Sequence, residues 1–158
     1  MSNTFVMSRR VEFVDTDMAG IVHFTAFFRY METAEHELFR DMGLSITEQR
    51  QGRQLGWPRV SCGFDFLNAL RFPEKFEVHL AVTQIGARSV TYEAQIVRDG
   101  TVLARGYSTS TCCQIDPAGA LRPIDIPPDI AERLHQRLVQ KTMHEGKKGR
   151  EDSEGRNL

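Results

Sequence analysis

Between Phe24 and Met42 apolar side chains recur every three or four residues: Phe24, Phe27, Phe28, Met31, Ala34, Leu38, Phe39 and Met42. That spacing predicts an amphipathic helix with one broad apolar stripe, and Gly43 follows as its left-handed C-cap. At about 1.5 Å per residue, some nineteen residues make a rod roughly 30 Å long, enough to cross a small domain. Elsewhere the period is two. Phe76, Val78, Leu80 and Val82 alternate with Glu77, His79, Ala81 and Thr83, and Val90, Tyr92, Ala94 and Ile96 alternate in the same way. These are half-buried strands.

Weaker signals complete the reading. Residues 4 to 14 alternate loosely through Phe5, Met7, Val11 and Phe13, which predicts a first strand. Pro58 opens a further strand with Val60, Cys62, Phe64 and Phe66 on one face. The polar, glycine-punctuated residues 44 to 57 predict a loop with at most one helical turn. Arg71, Phe72 and Pro73 mark a turn. Asp99-Gly100 marks a tight hairpin, after which residues 101 to 115 read as one long strand ending at Asp116-Pro117. Pro127 and Pro128 begin a C-terminal helix to about Met143, with Ile130, Leu134 and Leu138 as its stripe. The domain is expected to occupy residues 1–144, and the tail 145–158, with one apolar residue, to be disordered. One long helix and about five long, mostly antiparallel strands predict an α+β fold with the helix packed across a curved sheet.

Composition narrows the class. Twenty basic and twenty-one acidic side chains nearly cancel, which gives no ground for a nucleic-acid or membrane partner. The N-terminus has neither a signal-peptide pattern nor a membrane span, so a cytoplasmic location is expected. Cys62, Cys112 and Cys113 have no metal-ligand spacing and read as reduced thiols.

Chemistry concentrates at the helix start. Asp15 and Asp17 sit where the chain leaves a strand and enters the helix through Gly20. The first helical turn carries amide N–H groups without intrahelical partners and a positive partial charge. Those donors can polarise a carbonyl oxygen while a carboxylate attacks the carbon or activates water, the geometry of acyl transfer. Asp17 reads equally as a cap or turn residue, and Asp15 as a structural one. His23 reads as a capping residue or as a group that orients a water. Glu32, Glu35 and His36 fall on one side of the helix, away from the phenylalanines, as a solvated or interfacial face. Cys112 and Cys113 read as small buried thiols, with a nucleophilic role as the alternative.

The run R-V-x-F-x-D-T-D-x-A-G-I-V at residues 10 to 22, followed by an aromatic-rich helix, resembles the hotdog-fold thioesterases of the 4-hydroxybenzoyl-CoA type. The resemblance covers roughly residues 5 to 116. It implies a hotdog fold, hydrolysis of an acyl-CoA or acyl-carrier thioester to an acid and free thiol, and no metal or cofactor. It also implies assembly as a homodimer or homotetramer, since one sheet around one helix leaves an edge uncovered. By the same resemblance Asp17 is the catalytic aspartate, and the amide that binds the thioester oxygen falls at or near Phe24. A related group, the Tol–Pal-cluster acyl-CoA thioesterases, has a histidine seven residues after that aspartate; here Phe24 stands there and His23 precedes it. Tyrosines frequent in the family's first helical turn are Phe27 and Phe28 here, which with Gly20 and Ile21 implies an apolar acyl pocket. Arg88 and Ser89 resemble the region that contacts CoA phosphate, with Arg71, Lys75 and Arg105 as other cationic candidates. A non-catalytic acyl-CoA binding module and a hotdog 3-hydroxyacyl thioester dehydratase are the alternatives.

Overall fold

The computed structural model describes residues 3–139. In chain order these form β1 (Phe5–Arg10), a 3-10 turn (Phe13–Asp15), α1 (Phe24–Asp41), β2 (Gln49–Arg50), β3 (Arg53–Gly56) and β4 (Arg59–Phe66). Then follow β5 (Lys75–Ile85), β6 (Ser89–Arg98), β7 (Thr101–Thr111), β8 (Cys113–Ile115), β9 (Leu121–Pro123) and α2 (Pro128–Arg137). The main sheet has the order β1-β5-β6-β7-β4, with every neighbouring pair antiparallel.

The period-two pattern decides which face is covered. Phe76, Val78, Leu80 and Val82 of β5 and Val90, Tyr92, Ala94 and Ile96 of β6 are buried. They share one core with Phe27, Met31, Ala34, Leu38 and Phe39 of α1, and with Ile130 and Leu134 of α2. The β6–β7 turn places Asp99 at φ 49° and Gly100 at φ 76°, the two positive angles that an Asp-Gly hairpin calls for. Gly43 has φ 70° just beyond the Met42 C-cap of α1.

The register gives the sheet two ends. Arg10, Lys75, Arg98, Thr101 and Phe66 lie at one; Ile85, Ser89, Thr111 and Arg59 lie at the other. The chain enters α1 from the first end, directly after β1.

Several expectations need correction. The first strand stops at Arg10 rather than residue 14, because Glu12 and Asp15 cap each other's backbone and curl residues 13–15 into a 3-10 turn. Phe13 is consequently exposed, not inward. Residues 44 to 57 are not simply a loop: β2 and β3 form a hairpin turning through Gln51 and Gly52, both at positive φ. The long last strand is two. Its pairing in the main sheet ends at Thr111, and after the buried Cys112 the chain joins β3 and β9 in a second sheet ordered β2-β3-β8-β9. The C-terminal helix ends at Arg137, where Leu138 turns extended and bridges Val82. The expected disordered tail lies outside the described residues.

Candidate active site

Asp17 begins a tight reversal between β1 and α1. Thr16 and Val22 form an antiparallel bridge, the Asp17 N–H donates to the Ile21 carbonyl at 3.0 Å, and the Gly20 N–H donates back to the Asp17 carbonyl at 3.0 Å. Gly20 takes φ 74°, a left-handed conformation that side chains resist. Inside this turn the Asp17 carboxylate accepts the Ala19 N–H through Oδ1 at 2.8 Å. This is an Asx turn, and it leaves Oδ2 without a hydrogen bond among the described residues.

The reversal is fastened to its surroundings at both ends. The His23 N–H donates to the Asp15 carbonyl at 2.8 Å and the Val22 N–H to the Leu70 carbonyl at 2.7 Å. The Arg71 guanidinium donates to the Gly20 carbonyl at 3.2 Å. Beneath it the Asp15 carboxylate, only 6% exposed, accepts three hydrogen bonds. They come from the Tyr30 hydroxyl at 2.8 Å, the Arg29 guanidinium at 3.0 Å and the Glu12 amide at 3.1 Å. Burial pushes the Asp15 carboxyl up, but these donors outweigh it and hold it below its ordinary value. Asp15 therefore ties the loop to the second turn of α1.

Because the folded pKa is depressed, this contribution is complete above the unfolded value near 3.8 and is lost as pH falls through the lowered one. Tyr30→Phe should lower unfolding free energy by roughly 1–3 kcal/mol at pH 7, since it leaves a buried carboxylate short of a donor. Urea denaturation at pH 7 and pH 3 checks this: the deficit should shrink at pH 3.

His23 is the N-cap of α1. Its backbone is extended and its Nδ1 accepts the Thr25 amide at 3.4 Å, while its ring lies 4.6 Å from that of Phe24. Phe24 is the first residue of α1. Its N–H has no acceptor among the described residues, as expected for the first turn of a helix. Although Phe24 falls in the apolar stripe, it is 56% exposed. Phe24 stands with exposed Met18, Phe66, Leu67 and Phe72 in the segments at this end of the sheet.

Phe27 is buried against Phe64 and Phe66, at ring separations of 6.0 and 5.1 Å, and Phe28 is half-buried against Phe64 at 5.1 Å. Gly20 and Ile21 belong to the reversal. Arg88 and Ser89 are not brought to it within this chain. They form the β5–β6 turn at the opposite end of the sheet, where Arg88 donates to Asp125 at 2.9 Å. Ten residue steps along β5 at about 3.3 Å separate the two ends by roughly 33 Å.

Of the two helix carboxylates, Glu32 is exposed as expected, whereas Glu35 departs from the solvated face. Glu35 is 4% exposed and lies against Arg59, whose Nη1 donates to both carboxylate oxygens at 3.0 and 2.7 Å. Glu32 is reached by the same guanidinium at 3.4 Å. Burial pushes the Glu35 carboxyl up to about 6 against the pull of Arg59. Only the position of Arg59 at the start of a strand hinted at this pair, so sequence reading missed it. Burial likewise pushes the Cys112 thiol up to about 11, which leaves it protonated and a poor nucleophile at neutral pH. Among the described residues no group of three or more His, Cys, Asp or Glu is arranged to hold a metal ion. Nor is any described helix long and apolar enough to cross a membrane.

A helix laid on an antiparallel sheet is the hotdog architecture of the thioesterase superfamily, whose members hydrolyse thioesters. The chain belongs to the thioesterase-like superfamily, which residues 11–134 match. It is similar to the 4-hydroxybenzoyl-CoA thioesterase of a Pseudomonas species, at 25% identity over 84% of this chain and 98% of the relative. The acyl-CoA thioesterase YbgC of Haemophilus influenzae is 20% identical over 85% of this chain and 97% of its own length. Among solved structures, a gentisyl-coenzyme A thioesterase superposes with a TM-score of 0.72 at 25% identity, covering 82% of this chain and 99% of that one.

Proposed function

We propose that the protein hydrolyses an acyl-CoA thioester, with Asp17 and the Phe24 amide as its reacting centre. The observation that carries this is the fastening of the Asp17 turn to the start of α1. One carboxylate oxygen is committed to the turn and the other has no hydrogen bond among the described residues, and the turn leads into a helix whose first N–H likewise has no acceptor among them. In this reading the thioester oxygen accepts the Phe24 N–H. Asp17 either attacks the carbonyl carbon itself or takes a proton from the attacking water. On the first route C–S cleavage leaves an acyl-aspartyl anhydride, which water hydrolyses to the acid and a free Asp17 carboxylate, the proton released by that water going to the CoA thiolate. On the second, water adds to the carbon, the C–S bond breaks, and the proton held by Asp17 passes to the leaving thiolate. A preorganised amide donor of this kind contributes roughly 3 kcal/mol to the barrier reduction. Phe24, with the exposed Phe66, Leu67 and Met18 of the segments at the same end of the sheet, would give the acyl group an apolar entrance. The named relatives, which act on 4-hydroxybenzoyl-CoA, acyl-CoA and gentisyl-CoA, support the substrate class. A panel of acyl-CoA thioesters followed by free-thiol release tests the reading. Binding without thiol release would make this a binding module instead.

A homodimer belongs to the same reading. β4 is an edge strand with exposed Val60 and Cys62, and such edges call for cover. Two copies joined antiparallel along β4 have opposite sheet ends side by side, so one protomer's β5–β6 turn, with Arg88 and Ser89, comes to the end that holds its partner's Asp17. A cysteine crosslinker of short span should then trap a dimer through Cys62 near the two-fold axis. Sedimentation showing a monomer, or no Cys62-dependent crosslink, would remove this element.

A further inference from the structure

The second sheet carries two arginines, Arg53 and Arg122, that form no ion pair among the described residues. At that end of the molecule most arginines have a carboxylate: Arg50 has Glu48 and Asp129, Arg59 has Glu35 and Glu32, and Arg88 has Asp125. Arg53 instead donates to the neutral side-chain oxygen of Gln114 at 2.9 Å. The Arg122 side chain makes no hydrogen bond or ion pair among the described residues. Register puts them together, because Gln114 of β8 lies directly opposite Arg122 of β9 on one side and opposite Leu55 of β3 on the other. Arg53, two residues before Leu55, projects from the same face of β3.

Between these side chains is a cavity of about 430 Å³, lined also by Pro117, Leu121 and Pro123. Asp116 also lines it, with Oδ1 accepting the Ala118 and Ala120 amides, each at 2.9 Å. Two guanidiniums on a partly apolar concave surface suit a nucleotide. Arginine's fork matches phosphate oxygens, and proline and leucine side chains give a base something to lie against.

We propose that Arg53, Gln114 and Arg122 bind the phosphorylated adenosine of a CoA thioester. The inference rests on the thioesterase reading and adds to it the residues that recognise the nucleotide of CoA. β8 continues from the Thr111 end of β7, the end opposite Asp17. In the two-fold arrangement along β4 the cleft therefore serves the partner's Asp17, and the pantetheine arm runs between them.

Two measurements on the full chain test it. Isothermal titration with adenosine 3′,5′-bisphosphate needs no catalysis. Wild type should bind, the double variant Arg53→Gln, Arg122→Gln should bind at least ten-fold more weakly, and raised salt should weaken the wild type. In turnover assays the double variant should raise KM for an acyl-CoA about ten-fold or more with kcat within two-fold. KM for the same acyl group on pantetheine, which lacks the nucleotide, should not change. Equal shifts for both substrates, no shift for either, or undiminished bisphosphate binding by the variant would overturn the cleft. Nucleotide binding that depends on these arginines in a protein that releases no thiol would keep the cleft and refute the thioesterase reading. Equal binding of inorganic phosphate and the bisphosphate would refute nucleotide recognition.

Discussion

Asp17→Asn should lower kcat by a factor of about 100 or more while KM for an acyl-CoA stays within a few-fold. The substitution isolates the charge. Asparagine keeps a side-chain oxygen that can accept the Ala19 N–H, so the Asx turn and the backbone bonds from Asp17 to Ile21 and Gly20 survive. What it loses is the anionic oxygen, the only part of the residue that can attack a carbonyl carbon or take a proton from water. Binding relies on other groups, so an effect confined to kcat marks an interaction made in the transition state. Thermal unfolding of the variant should match wild type within about 1 kcal/mol. A variant with full turnover would end the role assigned to Asp17. One that loses activity and stability together would show that the residue serves the turn alone.

The same turn shows what can be read from sequence and what cannot. α1 was legible because its stripe has a helical period and Gly43 bounds it; β5 and β6 were legible because Val, Ile and Tyr alternate with polar residues. Asp17 and Phe24 drew attention through their places before and at the helix start. Nothing local separates the roles of Asp15 and Asp17, two residues apart. The difference comes from Tyr30 and Arg29, which reach Asp15 from the helix and commit it to holding the loop. Such contacts depend on tertiary packing, which periodicity does not encode. The β2–β3 hairpin was missed for a related reason. Its strands are polar and only two and four residues long, so they show no alternation, and they exist because β8 lies alongside. The Gln51-Gly52 turn was the one local signal for it.

Arg59 is the clearest case of a residue whose importance lies in its packing, and Arg59→Met should destabilise the fold by about 3 kcal/mol or more at pH 7. The guanidinium donates to both Glu35 oxygens and to the Ser108 hydroxyl at 2.7 Å, reaches Ser110 at 3.4 Å, and extends its other nitrogen to Glu32. Removing it leaves a carboxylate beneath α1 with no cation, beside the buried Tyr92 ring and near the like charge of Glu32. Burial already raises Glu35 to about 6 with Arg59 present. The sign follows from that: the folded state holds the Glu35 proton more tightly than the unfolded chain, so this group costs stability as pH rises through that range. Without Arg59 the carboxyl rises further, and the loss measured at pH 7 should shrink at pH 5, where Glu35 is protonated. Glu35→Leu combined with Arg59→Met should recover much of the loss, because a matched apolar pair has no desolvation to offset. Chemical denaturation of the two single variants and the double variant, at both pH values, completes the cycle. A double variant as unstable as Arg59→Met alone would show that the arginine works through Ser108, Ser110 and the β4 edge rather than through Glu35.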